Sequence, residues 1–451
     1  MTKDLTEGNT RKVLIEFTIP MFLSVIFQQL YNIADSVIAG KFAGEDALAS
    51  VGASYPITMI FMAIAIGSNI GCSVIISGLF GAKQYEQLKT AVSTTIISSF
   101  ILSLVLTIVG IAFSSNLMNM LKTPKNIFSD GVAYLSIYIA GFLFLFLYNI
   151  STGIFTSLGD SKTPLYFLIG SSIGNVVLDL IFVAVFHWGV KGVAWATFIA
   201  QGIACVLSMI TLRKRINEII TIDQYPVFSW EMLKRVASIA IPSILQQSFI
   251  SIGNLFIQIQ VNGFGSSVIA GYSAAIKLNT FAITSLTTLG NGISGFTAQN
   301  LGALKIDRVK KGLKTGIVMG FTVAFLFFLI YFGATKYILH LFMEEEGLAI
   351  ETGTQFMKIV TPFYMVVCIK LVCDAILRGA EAMKYFMITT FTDLILRVVL
   401  AYLLVDGWGT TGIWLSWPVG WSISAILSFC FYFKKVWIPK TYLVKYNSID
   451  K

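Results

Sequence analysis

Apolar runs of about twenty residues recur along almost the whole chain, separated by short polar breaks, and constrain its fold more than any other feature. About twenty residues of α-helix cross the ~30 Å hydrocarbon core of a bilayer. Only helices or closed barrels satisfy every backbone polar group there. The runs give about twelve membrane-spanning helices, near 13–38, 47–76, 91–113, 131–156, 164–186, 192–211, 236–261, 267–297, 313–333, 353–378, 384–405 and 411–433. Charged residues make up 12% and hydrophobic ones 56% of the chain, against about 25% charged in soluble domains. The expected fold is all-α and integral to the membrane.

The two halves of the chain match. Pro20 pairs with Pro242 and Asn32 with Asn254, and Lys41-Phe-Ala-Gly corresponds to Gly263-Phe-Gly-Ser. Further on, Gly81-Ala corresponds to Gly302-Ala, Gly159 to Gly379, and Trp188-Gly to Trp408-Gly. An even number of spans per half makes such a repeat parallel, with its axis along the membrane normal. The expected organisation is a cytoplasmic N-terminus (1–12), an N-lobe of six spans (13–211), a cytoplasmic linker (212–235), a C-lobe of six spans (236–433) and a cytoplasmic tail (434–451). Two pseudo-symmetric lobes of six helices are the ordinary build of alternating-access transporters.

Lys and Arg set the orientation. With the N-terminus inside, Arg11, Lys12, Lys83, Lys89, Lys162, Arg213-Lys-Arg215, Lys305, Arg308, Lys310, Lys311, Lys434 and Lys435 all fall in cytoplasmic segments. The opposite loops carry fewer bases and the acidic Glu344-Glu-Glu346. Both termini are therefore expected in the cytoplasm. The net charge of +9 reflects those loops, and no nucleic-acid partner is expected. No secretory signal peptide is expected, because the polar start runs straight into the first span. The five cysteines lie in apolar runs, where Cys acts as a small hydrophobe, so neither a disulfide framework nor a metal site is expected. His187 and His340 are the only histidines, which leaves zinc and Ser/His chemistry without parts, and the chain reads as no enzyme.

A carboxylate inside the first span is the strongest functional signal. Gln28, Asn32 and Asp35 lie at i, i+4 and i+7, so they share a helix face, with Tyr31 beside them. A charge at mid-bilayer depth costs ~3 kcal/mol on insertion scales, and such residues usually mark ion or substrate paths. In the fifth span Asn175-Val-Val-Leu-Asp179 sets an amide and a second carboxylate one turn apart. Thr197 in the sixth span and Asn149 and Thr152 in the fourth add oxygen groups to the same lobe. Two carboxylates in a low-dielectric pocket cannot cheaply both be ionised, so such a pair can hold a proton. The same oxygens suit Na+. Pro20 removes one backbone hydrogen bond and can kink the helix. In the C-lobe, Lys370 and Asp374 are i, i+4, and so are Asp393 and Arg397; each pair is expected to neutralise itself along its own helix. Lys277 has no obvious local partner.

The early Pro20, the Asn32-x-x-Asp35 element, the Gly-Ala loops at Gly81 and Gly302, the Gly159-Asp160 and Arg378-Gly379 turns and the Trp-Gly repeats together resemble the multidrug and toxic compound extrusion (MATE) family over essentially the whole chain. Within it the chain resembles the prokaryotic branch whose coupling acid sits in helix 1; the other large bacterial branch carries a Glu in helix 7, where this chain reads Pro242-Ser-Ile-Leu-Gln-Gln without an acid. The resemblance implies that Asp35, Asn175, Asp179 and Thr197 form an N-lobe cation or proton site, with Tyr31 and Asn149 beside it, and that Pro20 is a hinge. It implies a monomeric, multi-pass protein of the cytoplasmic (inner) membrane. Such a protein exports amphipathic, mostly cationic drugs or metabolites in exchange for H+ or Na+ and needs no cofactor. A lipid-linked saccharide flippase of the same superfamily is the alternative.

Overall fold

The computed structural model of the protein describes residues 3–43, 45–219, 224–340 and 347–439. The expected acidic loop Glu344–Glu346, residues 220–223 of the expected linker and the tail from 440 onward lie outside the described residues. Thirteen helices follow in order: α1 Thr10–Ile38, α2 Glu45–Gly81, α3 Tyr85–Met120, α4 Lys125–Ala140, α5 Phe142–Ser157, α6 Lys162–Asp179, α7 Gly189–Ile219, α8 Trp230–Asn262, α9 Ser266–Gly302, α10 Ile306–Leu339, α11 Leu348–Val360, α12 Tyr364–Gly379 and α13 Met383–Phe433.

These thirteen helices make twelve crossings. Helices α4 and α5 are the halves of one, bent by 42° about Gly141. Helices α11 and α12 are the halves of another, joined by the tight turn Thr361–Phe363 around Pro362. Helix α13 contains two, parted where Gly409 takes φ 57°, a left-handed conformation that glycine adopts without a Cβ penalty. Among the described residues nine helices, or ten with the bent pair, are long and apolar enough to span on length and composition alone. The remaining two come from dividing α13 and from α9, whose face carries a polar stripe. The breaks at Gly141 and Pro362 fall at equivalent places in the repeat.

The crossings are longer than the apolar runs. Helix α7 continues through Arg213-Lys-Arg215 to Ile219, and α8 begins at Trp230. Charged residues are good helix formers once outside the bilayer, so the polar connection is shorter than the expected 212–235.

The chain divides into two compact units, one built on Ile19–Gln247 and the other on Leu5–Thr18 with Ser248 onward. Both divisions fall inside helices, α1 and α8, and the first lies beside Pro20. In the first unit Ile57, Phe61, Leu135, Ile139, Phe142 and Phe146 form a buried core between α2, α4 and α5, with the Phe61 and Phe142 rings edge to face at 4.8 Å. Helix α2 meets the first half of α8 at Gly67 and Gly71, a small-xxx-small spacing that lets helix backbones approach closely. A Cβ on Gly71 would stand 2.5 Å from the Ala240 methyl, and one on Gly67 2.5 Å from the Ile244 amide nitrogen.

In the second unit an aromatic column joins α9, α11, α12 and α13. Tyr272 stacks on Trp414 at 5.1 Å, Phe356 meets both Trp414 and Trp417 edge-on, and Trp417 leads on to Trp421. The amino-terminal segment of this unit is held by α9 and α10: Arg308 donates to the carbonyls of Leu5, Glu7 and Gly8 at 3.0, 3.0 and 2.6 Å. Helices α3 and α10 expose Ile101, Val105, Ile108, Phe325, Leu326 and Leu329, as lipid-facing helices do.

Candidate functional site in the first unit

Asp35, half-buried on α1, and Asp179, the last residue of α6, lie within electrostatic reach of each other. Asn175, one turn back along α6, is 2% exposed and Asp179 is fully buried. Tyr31 on α1 and Thr197 on α7 lie close to each other, with the Tyr31 hydroxyl in the field of both carboxyls. Thr197 Oγ1 donates to the Val193 carbonyl at 3.1 Å, which leaves its lone pairs for the pocket. Tyr134 on α4 lies within electrostatic reach of both carboxyls and stacks on Tyr138 at 6.2 Å. The sequence offered one signal for it, the tyrosine pair Tyr134 and Tyr138 at i, i+4.

Backbone geometry shapes the site. Helix α1 passes into a wide π turn, Ala39–Ala43, four residues after Asp35. Helix α6 passes into another, Leu180–Val185, directly after Asp179. Such turns are rare and recur at functional sites, because they re-aim side chains within a helix. Beyond them Ile38, Val183 and Val193 pack into a dry cluster with Ala43, Tyr134 and Val176 around it. Ile38 lies three residues past Asp35, Val183 four past Asp179, and Val193 four before Thr197. Helices α1 and α6 run opposite to α7, so the three apolar side chains cap the same end of the polar group.

Within this pocket Asp35 Oδ1, both oxygens of Asp179 and both ends of the Asn175 amide have no hydrogen-bond partner among the described residues. Buried polar atoms are nearly always satisfied, and each exception asks for a ligand, a water or an ion. Two carboxyls, an amide oxygen and two hydroxyls form a hard, oxygen-only set that can take one positive charge, as a shared proton or as Na+.

Not every expected residue joins this group. Gln28 and Asn32 share the Asp35 face but are exposed, and Tyr31 is half-buried. The Asn149 amide donates to Leu145 O at 2.8 Å, and its main-chain carbonyl accepts from Asn69 at 2.9 Å; its hydrogen bonds serve the α2–α5 contact instead of the carboxyl pair. Thr152 lies beside Tyr148. Pro20 sits inside α1 and deprives the Glu16 carbonyl of its helical amide partner.

In the second unit the Lys370–Asp374 pair forms as spaced, Nζ to Oδ2 at 3.0 Å. The expected Asp393–Arg397 pair does not form. Asp393 turns to Lys370 at 3.8 Å, and Arg397 lies over the Trp417 ring at 4.2 Å. Tertiary partners outcompete the i+4 neighbour because the aromatic column brings Trp417 under the guanidinium. Asp374 also accepts from Thr389 at 2.8 Å and Ser428 at 2.6 Å. Lys277 on α9 is exposed.

Twelve crossings in two halves, with a carboxyl pair in one of them whose oxygens lack hydrogen-bond donors among the described residues, define a polytopic membrane transporter. The MatE family model matches residues 20–181 and again 242–403, and the chain belongs to that family. The two matches begin at Pro20 and Pro242, the residues that open the internal repeat. A Probable multidrug resistance protein, YoeA of Bacillus subtilis (strain 168), is 27% identical over 434 residues, covering 94% of this chain and 93% of its own length. The Multidrug export protein MepA of Staphylococcus aureus (strain N315) is 24% identical over 352 residues, 77% of each chain. A solved structure described as the outward-facing conformation of a multidrug resistance MATE family transporter of the MOP superfamily superposes with a TM-score of 0.90 at 22% identity, over 97% of this chain and 98% of that one.

Proposed function

We propose that the protein is a multidrug efflux antiporter. It exports amphipathic, mostly cationic organic compounds in exchange for H+, with Na+ as the alternative coupling ion, by alternating access. It acts as a monomer in the cytoplasmic membrane, with both termini inside. The observation that carries the reading is the Asp35–Asp179 pair, the first half-buried and the second fully buried, whose Asp35 Oδ1 and two Asp179 oxygens have no hydrogen-bond partner among the described residues. A pocket of that kind holds one positive charge at a time. A proton bound there lowers the negative charge of the pair by one, and its loss restores the charge that attracts a cationic substrate.

The energetics suffice with one such site. One charge moving through ~100 mV yields ~2.3 kcal/mol, and a tenfold concentration ratio costs ~1.4 kcal/mol. One inward proton per neutral drug therefore sustains a gradient of about fiftyfold, whereas exchange of one proton for a monovalent cation is electroneutral and is driven by the pH difference alone. Pro20 supports a hinge in α1, since the division between the compact units falls next to it. Relatives named as multidrug resistance and export proteins support the substrate class. A saccharide flippase needs several free bases to grip a pyrophosphate, whereas Lys370 and Arg397 are already engaged. The test is ethidium efflux from vesicles for wild type and Asp35→Asn under separately imposed pH and Na+ gradients. Gradient-driven efflux by wild type alone supports the reading, and undiminished efflux by the variant rejects it.

A further inference from the structure

Helix α9 carries Ser273, Lys277, Thr280, Thr284, Thr288 and Asn291 at intervals of three and four, so they share one narrow face. None of these six is buried, whereas Val268, Ala275, Ala282, Leu286, Leu289 and Ile293 on other faces are. Hydrocarbon does not solvate a row of hydroxyls with an ammonium among them, so this face lines water. Lys277 lies eleven residues from the start of α9, ~16 Å at 1.5 Å per residue, which is near the middle of a ~30 Å hydrocarbon layer.

Charge balance isolates this lysine. At membrane depth the second unit also holds Lys370, Asp374, Asp393 and Arg397, two bases and two acids. Lys370 contacts both acids, and Arg397 rests on Trp417. Arg378, at the cytoplasmic end of α12, is engaged by Asn291 and Ser294. Lys277 has no ion pair or hydrogen bond among the described residues. The repeat sharpens the contrast, since the offset that pairs Pro20 with Pro242 pairs Lys277 with Tyr55. The first unit thus holds the Asp35–Asp179 carboxyls, and the second an exposed ammonium with no ion pair among the described residues.

We infer that Lys277 is a specificity-determining residue that binds the acidic group of amphipathic zwitterionic or anionic substrates on the wetted face of α9. The inference rests on the export reading above and extends its substrate class beyond simple cations. A charge-assisted contact in a cleft with low-dielectric walls is stronger than the same contact in bulk water. It therefore discriminates between two compounds that differ only in a carboxylate.

The test compares export of a rhodamine methyl ester, a plain cation, with that of the free acid of the same dye, using the full chain in proteoliposomes. Wild type exports both dyes. Lys277→Gln raises the KM for the free acid about tenfold and leaves that of the ester unchanged or lower; Lys277→Arg keeps the wild-type ratio, and Lys277→Glu reverses the preference. Equal effects of Lys277→Gln on both dyes, or none on the acid, overturn the inference while leaving the export reading intact. Wild-type export of the ester alone also overturns it. A wild-type protein that moves neither dye overturns the export reading and this inference with it.

Discussion

Asp35 and Asp179 lie within electrostatic reach of each other inside one compact unit, the first carried by α1 and the second at the end of α6. Each stands just before a wide turn, and the dry Ile38–Val183–Val193 cluster closes one end of their pocket. Groups that hold one proton between them act as a unit, and losses within such a unit do not add. Asp35→Asn and Asp179→Asn are each expected to reduce gradient-driven dye efflux to the leak rate, and the double variant to do no further harm. Efflux rates under an imposed pH gradient check this.

Lys370 bridges Asp374 and Asp393 where all three are almost fully buried. Removing one partner of a buried pair costs about 3–5 kcal/mol, while replacing the pair by apolar groups is often near neutral. Lys370→Met is expected to lower the melting temperature in detergent markedly. Adding Asp374→Leu is expected to recover a large part of the loss, and thermal unfolding of both variants checks the coupling.

At Gly71 there is no room for a side chain, since any Cβ meets Ala240 on α8. Overpacking of this kind costs about 1–3 kcal/mol or more, so Gly71→Val is expected to destabilise the first unit. Gly170 in α6 has nothing within 4 Å of its Cβ position, and Gly170→Ala is expected to stabilise by about 0.5–1 kcal/mol. Melting temperatures of the two variants should move in opposite directions.

Arg308 gathers the carbonyls of Leu5, Glu7 and Gly8 with the Asn300 side chain. Hydrogen bonds from a charged donor contribute roughly 1.5–3 kcal/mol each. Arg308→Ala is expected to release the amino-terminal segment ahead of α1, read as faster amide hydrogen exchange at residues 5–9 with the transmembrane helices unchanged.

Much of the architecture was legible because the bilayer admits few solutions. Run length gave the crossings, and the matched Pro20 and Pro242 gave the duplication. The breaks at Gly141 and Pro362 were not legible, since 131–156 and 353–378 read as unbroken apolar runs and each break is settled by packing. Helical spacing put Asn175 and Asp179 on one face of α6 but carried no sign of the wide turns, and the i, i+4 spacing of Tyr134 and Tyr138 did not show that Tyr134 reaches the carboxyls, which it does only through the fold. Spacing misled at Asp393 and Arg397, because an i+4 rule ignores partners on other helices. It also drew Asn149 toward the carboxyls, when its amide is bound to its own helix.

The central claim is that substrate and proton compete for the Asp35–Asp179 pair. Proton release on drug binding tests it most directly, read with a pH-sensitive dye as ethidium is added to detergent-purified protein in weakly buffered solution. The account predicts close to one proton released per drug bound by wild type and none by Asp35→Asn or Asp179→Asn. Binding without release by wild type, or equal release by all three proteins, contradicts it.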